Sequence, residues 1–135
     1  MTNSNDHKVI YPKSAPEYFS KWGFSPAIES NGFIFVSGCT GTEDNGNVPE
    51  GIEAQSRVAF KKIQLCLVEV GVDFSSIVEM TTYHVGLQKH LEQFIAVKAE
   101  FLSKPFPAWT AIGVSELASK GAIVEVRVIA KTNAI

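Results

Sequence analysis

The sequence predicts an α+β domain, in which a single mixed β-sheet carries two helices on one face. Residues 50–70 and about 89–103 have apolar side chains at helical spacing. The other segments are short, rich in β-branched and aromatic residues, and bounded by Gly, Pro or Asn, as strands are. Their order is strand, strand, helix, strand, helix, strand, strand. The second face of the sheet then has no helix from its own chain to cover it, which predicts oligomerisation.

Length and composition indicate one domain over residues 1–135, with residues 1–6 as a loose tail. The net charge of −2 gives no strong field to attract nucleic acid or an anionic membrane. The N-terminal residues lack an apolar signal region, and no apolar run approaches the roughly 20 residues of a membrane span. Cys39 and Cys66 are too few for a disulfide framework. We therefore expect a cytoplasmic protein with reduced thiols that binds neither nucleic acid nor membranes.

The first third of the chain predicts a short edge strand followed by a hairpin over residues 24–38. Asn31-Gly32 lies at the centre of the hairpin, and these residue types accept the positive φ angles that a tight turn requires. The loop before the hairpin, residues 13–23, contains a cluster of large rings. Rings in an irregular segment are typical of lids and interface contacts, and we expect one of these roles. The rings are Tyr18, Phe19 and Trp22.

The helical periodicity also predicts which side chains face the core. Between the two helices, residues 77–85 form a β-branched and aromatic strand. Gly71 ends the first helix, and Pro105 follows the second. The residues expected to face inward are Ile52, Ala59, Ile63, Cys66, Leu67 and Val70 on the first helix, and Leu91, Phe94, Ile95, Phe101 and Leu102 on the second.

Two closing strands are predicted to pair as a hairpin and to carry the candidate site. Alternation gives the last strand one apolar row for the core and an opposite row that contains Glu125 and Arg127. If Ile112 joins the apolar side, Trp109 lies on the face of Glu125 and Arg127, with small residues beside it that leave room for a ligand. The two strands are residues 108–114 and 122–131, the apolar row is Val124, Val126, Val128 and Ala130, and the small residues are Ala111 and Gly113.

Each of these polar or aromatic side chains has a functional and a structural interpretation. Glu125 and Arg127 are two residues apart on a strand, which places them about 6.6 Å apart on one face. The carboxylate can orient a water or accept a proton, and the guanidinium can hold an anionic group. An intersubunit ion pair explains Glu125 equally well and explains Arg127 better. Trp109 either offers a flat surface to an aromatic or cationic ligand or fills the site as a plug.

Four short motifs, in this order and spacing, resemble the Rid family (reactive intermediate deaminases, also called YjgF-like). The resemblance extends from about residue 25 to residue 131, and the segment 109–114 is most similar to the YjgH-like branch. The motifs are Phe33-Ile34-Phe35-Val36-Ser37-Gly38, Thr81-Thr82, Phe106-Pro107-Ala108 and Val124-Glu125-Val126.

The resemblance implies a homotrimer with small-molecule clefts between subunits and hydrolysis of reactive imines or enamines. It places Glu125 at the family's water-orienting glutamate and Gly38 in the cleft wall. Phe24 stands where members often have a tyrosine, and Trp109 stands where deaminating members carry an arginine. The backbone N–H of Thr110 is expected to point into the cleft.

The remaining polar residues leave two functions open. Arg127 is a candidate to replace the missing guanidinium from the neighbouring strand, and His84 is an acid–base candidate or a structural histidine. The sequence has no metal-binding or phosphate-binding spacing, its basic residues are too scattered for RNA, and no cofactor is expected. The first hypothesis is a small-molecule hydrolase that uses Glu125 on a carboxylate or aromatic ligand. The second is a non-catalytic ligand-binding or regulatory trimer whose site is altered by Trp109.

Overall fold

The computed structural model describes residues 7–132, so the tail predicted at residues 1–6 lies outside the described residues. Within that range six strands form one sheet, accompanied by two long helices and one short one. The predicted α+β class with a single mixed sheet is confirmed. The strands are Lys8–Ile10 (β1), Ala27–Ser30 (β2), Phe33–Thr40 (β3), Ile77–His84 (β4), Ala108–Gly113 (β5) and Val124–Lys131 (β6). The helices are Tyr18–Trp22 (α1), Ile52–Glu69 (α2) and Leu87–Phe101 (α3).

The sheet has the order β1-β2-β3-β6-β4-β5. Its neighbouring strands are antiparallel except for β4 and β5, which are parallel and are joined by α3 as a crossover. The predicted hairpin of β5 with β6 is therefore wrong, because β4 lies between them. The segment that connects them, residues 114–123, is long enough to pass over one strand. β6 instead takes a central position, where both of its backbone edges find partners.

The hairpin of β2 and β3 forms as the sequence predicts. Asn31 has a φ of 53° and Gly32 a φ of 81°, so both turn residues adopt the left-handed conformation. That backbone matches the twist of the paired strands. Ser30 and Phe33 face each other directly across the turn. The turn thereby sets the register of the whole pair.

The core lies between the sheet and the two long helices. The predicted apolar row of β6 is buried, and so is the inward face of α2 except for Val70, which is partly buried. On α3 the pattern is shifted from the prediction, since Ile95 is exposed while Val97 and His90 are buried. Helical periodicity located the buried face to within one residue, which is its usual resolution.

α2 and α3 are held together mainly by aromatic packing. The Phe60 ring on α2 stacks on Phe94 and Phe101, with centroid distances of 6.0 and 5.0 Å. At the surface the Arg57 guanidinium donates two hydrogen bonds to the Glu100 carboxylate, at 3.0 and 2.7 Å. Exposed ion pairs contribute only about 0.2–1 kcal/mol each. The buried rings therefore dominate this contact.

The face of the sheet opposite the helices carries several exposed apolar side chains and is uncovered in the single chain. Phe33 lies on this face, whereas its neighbour Ile34 is buried in the core. Ile129 lies on the open side of β6 and is partly buried there. None of the helices in residues 7–132 is both long and apolar enough to span a membrane. The exposed apolar side chains of this face are Val9, Phe33, Phe35 and Ile112.

Candidate functional site

Trp109 lies on the helix side of the sheet, which contradicts the predicted face. It is paired in register with Met80, which is buried in the core, while Arg127 pairs with Thr81 on the opposite face. Ile112, expected inward, is exposed. β5 pairs only with β4, so its phase is set by packing under α3, where the larger indole buries more apolar surface than an isoleucine. Trp109, Glu125 and Arg127 thus do not project together from one face.

The indole is held by three neighbours. Its N–H donates a hydrogen bond to Thr82 Oγ1 at 2.9 Å. The ring packs against Phe94 with a centroid distance of 5.8 Å. Lys98 Nζ lies 4.9 Å from the indole centroid and 5.1 Å from that of Phe106. These contacts give Trp109 a structural role within the protomer.

His84 is fully buried and belongs to the same hydrogen-bonded chain. Its Nε2 lies 2.7 Å from Thr82 Oγ1, and its Nδ1 lies 3.0 Å from His90 Nε2. The indole can only donate, so the Thr82 hydroxyl is best satisfied by donating to His84 Nε2. His84 Nδ1–H then donates to His90, and the ring is neutral. The structural interpretation of His84 is the one that this geometry supports.

We expect the protein to lose stability in mild acid because of this buried pair. Burial, reinforced by His90, lowers the pKa of His84 from 6.5 to about 4. Below pH 6.5 the unfolded chain takes up a proton that the folded state resists, so stability is full above that pH and is lost as the pH falls. The free energy of unfolding should fall by about 1.5 kcal/mol between pH 6.5 and about pH 5, above the range of most carboxylates.

Urea unfolding at several pH values checks this expectation. His84→Gln removes the titrating ring but keeps a polar side chain, so its stability should change less between pH 6.5 and about pH 5. The raised pKa of Glu125 acts in the opposite direction and is common to both proteins. Equal slopes for the two proteins would assign the acid sensitivity to other groups.

Glu125, Gly38 and Phe24 line one cavity of the protomer. The cavity has a volume of about 390 Å³ and lies between α1, α2 and the bulged half of β3. Its walls are mainly rings and aliphatic groups, and ligand pockets of this kind usually have volumes of about 300–1,000 Å³. Glu125 is half-buried at its wall. This cavity is the candidate site.

A β-bulge in β3 admits the Glu125 side chain. Val36 pairs with Val128 and Cys39 with Val126, so two residues of β3 oppose the single Arg127. One of the two is Gly38, where a Cβ would lie 2.7 Å from Glu125 Cδ. Glycine at this point lets the carboxyl group cross the backbone into the cavity.

The predicted ring cluster forms one wall of the cavity. Tyr18 and Phe19 have ring centroids 4.5 Å apart, and Phe19 meets the Phe24 ring at 5.1 Å. The expected loop contains the short helix α1, which ends at Gly23 with a left-handed φ of 76°. Trp22 is 62% exposed at the rim. Together these rings make the wall apolar, with one hydroxyl.

Burial shifts the pKa values of several side chains in the cavity so that their neutral forms are favoured. Burial raises the pKa of Glu125, although the Lys62 amine opposes the shift. Burial lowers the pKa of Lys62, opposed by Cys39, Asp44 and Glu125. Burial raises the pKa of Tyr18 and of the Cys39 thiol to about 12. A carboxyl and an amine whose pKa values move toward each other suit acid–base work near neutral pH.

One family model, several curated proteins and many solved structures match this chain. The family described as Endoribonuclease L-PSP matches residues 14–132. RutC family protein YjgH of Escherichia coli is 32% identical over 127 residues, covering 93% of this chain and 95% of that protein. The solved structure of Protein YJGH has a TM-score of 0.88 and 30% identity, covering 97% and 100% of the two chains. The chain belongs to the Rid (YjgF-like) family. The structure of YyfA from Yersinia pestis, a conserved Rid protein of unknown function, has a TM-score of 0.84 and 32% identity, covering 93% of this chain and 99% of YyfA.

In this Rid protein the other predicted site residues lie away from the cavity. Arg127 projects from β6 on the open face, and β4 separates it from the strand of Trp109, so the predicted replacement from a neighbouring strand is wrong. Thr110 is exposed on the edge strand β5, where it pairs in register with Thr81 of β4. His84 lies in the core. Ligand roles for these residues stay predictions for a larger assembly.

Sequence reasoning missed Lys62, which lines the Rid cavity from α2. A signal for it exists, since Lys62 lies three residues after Ala59 and four before Cys66, both of which face inward. Cys66 and Cys39 also line the cavity as neutral thiols, because burial raises the pKa of Cys66 to about 11. In residues 7–132 no group of three or more His, Cys, Asp or Glu side chains is placed to hold a metal ion.

Proposed function

We propose that this Rid protein hydrolyses a reactive imine or enamine of a small molecule held in the cavity beside Glu125. The observation that carries the proposal is the Glu125 carboxyl group, which reaches past Gly38 into a cavity with mainly apolar walls. Burial raises the pKa of this carboxyl. A base in such a site can take a proton from water at near-neutral pH.

The chemistry needs only water and a route for protons. Water adds to the imine carbon while Glu125 accepts one of its protons, and the imine nitrogen gains a proton. The resulting carbinolamine expels ammonia as its hydroxyl loses a proton, and the carbonyl compound remains. The summed reaction converts one imine and one water into one carbonyl compound and one ammonia. Gly38 carries no side chain, so the backbone at this point allows the substrate to approach closely.

A homotrimer with the ligand cleft between protomers is part of the proposal. The open face of the sheet supports it, because exposed apolar side chains there favour burial against another copy. Two of these side chains, Phe33 and Phe35, are large rings, which are typical of interface cores. Trp22 at the cavity rim is also available to a neighbouring protomer.

The cavity lining favours a small molecule over RNA. Glu43, Asp44 and Glu125 line the cavity together with one lysine. Three carboxylates at a site repel a phosphodiester backbone, which is normally met by clusters of Arg and Lys. The idea that Trp109 plugs the site gains no support within the protomer, because the indole packs under α3.

Glu125→Gln is expected to lower the rate of ammonia release by about 100-fold or more, the size of a general-base effect. The assay generates imines in situ from a panel of amino acids and measures ammonia with time. Glu92→Gln, an exposed change on α3, is the matched control and should keep the wild-type rate. Rates equal to the protein-free reaction across the panel would refute the enzyme and leave a ligand-binding protein.

A further inference from the structure

Three rings of the cavity wall are set at angles to one another. The planes of Tyr18 and Phe19 are tilted by 38°, and those of Phe19 and Phe24 by 70°. All three line the cavity, so a ligand inside it meets rings in more than one orientation. The face of an aromatic ring attracts a cation, and sets of such rings are well suited to bind alkylammonium ligands. These three residues are called the ring wall below.

Carboxyl groups outnumber cationic groups around the cavity. Glu43 and Asp44 are exposed in the turn after β3, and Glu125 is half-buried. The Glu43 N–H donates a hydrogen bond to the Asn47 carbonyl at 2.7 Å, which holds the turn in place. Against the three carboxyl groups stands one amine, that of Lys62, and no arginine of residues 7–132 lines the cavity. A cleft with apolar walls and an excess of one sign of charge concentrates ligands of the opposite sign.

The charge of Asp44 acts on groups inside the cavity. Burial is the main cause of the raised pKa of Tyr18, and the Asp44 carboxylate raises that pKa further. The same carboxylate opposes the lowering of the pKa of Lys62 by burial. Solvent screens the interaction of a charge with partly buried groups less than that between two exposed charges. The negative potential of the turn therefore extends to the ring wall, where it adds to the attraction of the ring faces for a cation.

We propose that the cavity binds a small organic cation between the ring wall and the Asp44 carboxylate, and prefers it to an anion of the same shape. The ligand class is a primary ammonium or a protonated imine with a compact apolar body. The identity of the cation as a protonated imine rests on the proposed function, whereas the preference for positive charge does not. Protonation makes the imine carbon more electrophilic, so the bound form is also the one to which water adds. Lys62 opposes the preference, because its ammonium repels the ligand.

Calorimetry with three stable probes of one shape tests the preference at neutral pH and low salt. The cation is 3-methylbutylammonium, the neutral probe is 3-methylbutan-1-ol, and the anion is 3-methylbutanoate. The wild-type protein should bind the cation about ten-fold or more tightly than either of the others.

Three variants divide the preference between the rings and the charges. Phe19→Leu removes a ring face but keeps an apolar side chain, and should weaken cation binding about five-fold with less effect on the alcohol. Asp44→Asn should weaken cation binding about three-fold, an effect that disappears in high salt. Lys62→Met should strengthen cation binding about three-fold, because a like charge is removed. The matched controls, Glu92→Gln and Lys61→Met, are exposed outside the cavity and should bind all three probes as the wild type does.

The inference is wrong if wild-type protein fails to bind the ammonium, or binds the alcohol or the acid as tightly. Equal loss of ammonium and alcohol binding in Phe19→Leu would also overturn it, since the ring would then act through the shape of the cavity. The outcome is separable from the proposed function. Preferential ammonium binding without ammonia release from any imine keeps the ligand class and removes the enzyme. Ammonia release that depends on Glu125, with the acid bound more tightly than the ammonium, keeps the enzyme and removes this ligand class.

Discussion

Gly41→Ala is expected to lower the free energy of unfolding by about 3 kcal/mol or more, at or above the upper end of ordinary overpacking. Gly41 is buried where the chain leaves β3 and passes against α2. A Cβ there would lie 2.5 Å from Gln55 Cα and 2.6 Å from the Gln55 carbonyl oxygen. These are backbone atoms of a helix, so relief requires the whole of α2 to shift.

A shift of α2 would also release the loops that Gln55 holds. The Gln55 side-chain amide donates to the Pro49 carbonyl at 2.9 Å and to the Gly121 carbonyl at 3.2 Å, and its oxygen accepts from the Ile123 N–H at 2.8 Å. Buried polar groups left without partners each cost about 1–3 kcal/mol. The clash and the lost hydrogen bonds therefore both lower the free energy of unfolding, and their costs add.

Urea unfolding followed by circular dichroism measures this effect. Gly113→Ala is the matched control, because its Cβ would meet Leu87 Cβ at an ordinary 3.7 Å and its φ is not positive. The control should remain within about 1 kcal/mol of wild type, as small surface changes usually do. A Gly41→Ala protein as stable as the control would mean that the helix can move at little cost.

Gly38→Ala is expected to lower ammonia release by about 100-fold or more, because it displaces the group proposed as general base. The added methyl would lie 2.7 Å from Glu125 Cδ and 3.0 Å from Cγ. The atoms in conflict belong to a flexible side chain, so the carboxyl group can swing away. The stability cost should therefore be small, about 1 kcal/mol.

A double-mutant comparison separates displacement of Glu125 from general damage. In a Glu125→Gln background, Gly38→Ala should cause little further loss of rate, because both changes act on one group. Thermal unfolding shows whether each variant is folded at the assay temperature. Equal multiplicative losses in both backgrounds would show that Gly38 acts independently of Glu125.

Local signals in the sequence predicted most of the fold. Asn31-Gly32 specified its hairpin, the apolar spacing of α2 identified its buried face, and that of α3 located its buried face approximately, because turn chemistry and helical periodicity depend on nearby residues. The family resemblance implied that Glu125, Gly38 and Phe24 line a common cleft, and all three line one cavity of the protomer, while their ligand roles stay predictions. Each of these inferences needed only short-range patterns or a known motif order.

The failures concern choices made by distant contacts. β5 has apolar residues in both phases, Trp109 on one side and Ile112 on the other, so alternation alone could not orient it. Which face of β5 points to the core is decided by its pairing with β4 and its packing under α3. The bulge at Gly38 left no distinct sequence signal, and without it the meeting of Glu125 with Lys62 across two elements could not be inferred.

The central place of β6 has a consequence for how the chain is made. Before residues 124–131 leave the ribosome, β1–β3 and β4–β5 are two partial sheets with no hydrogen bonds between them. The edge strands β3 and β4 then expose unpaired backbone N–H and C=O groups, to which strands of other nascent chains can pair. The late arrival of one strand closes both edges at once. The window of greatest aggregation risk therefore ends when that segment emerges, well after most of the protein has been synthesised.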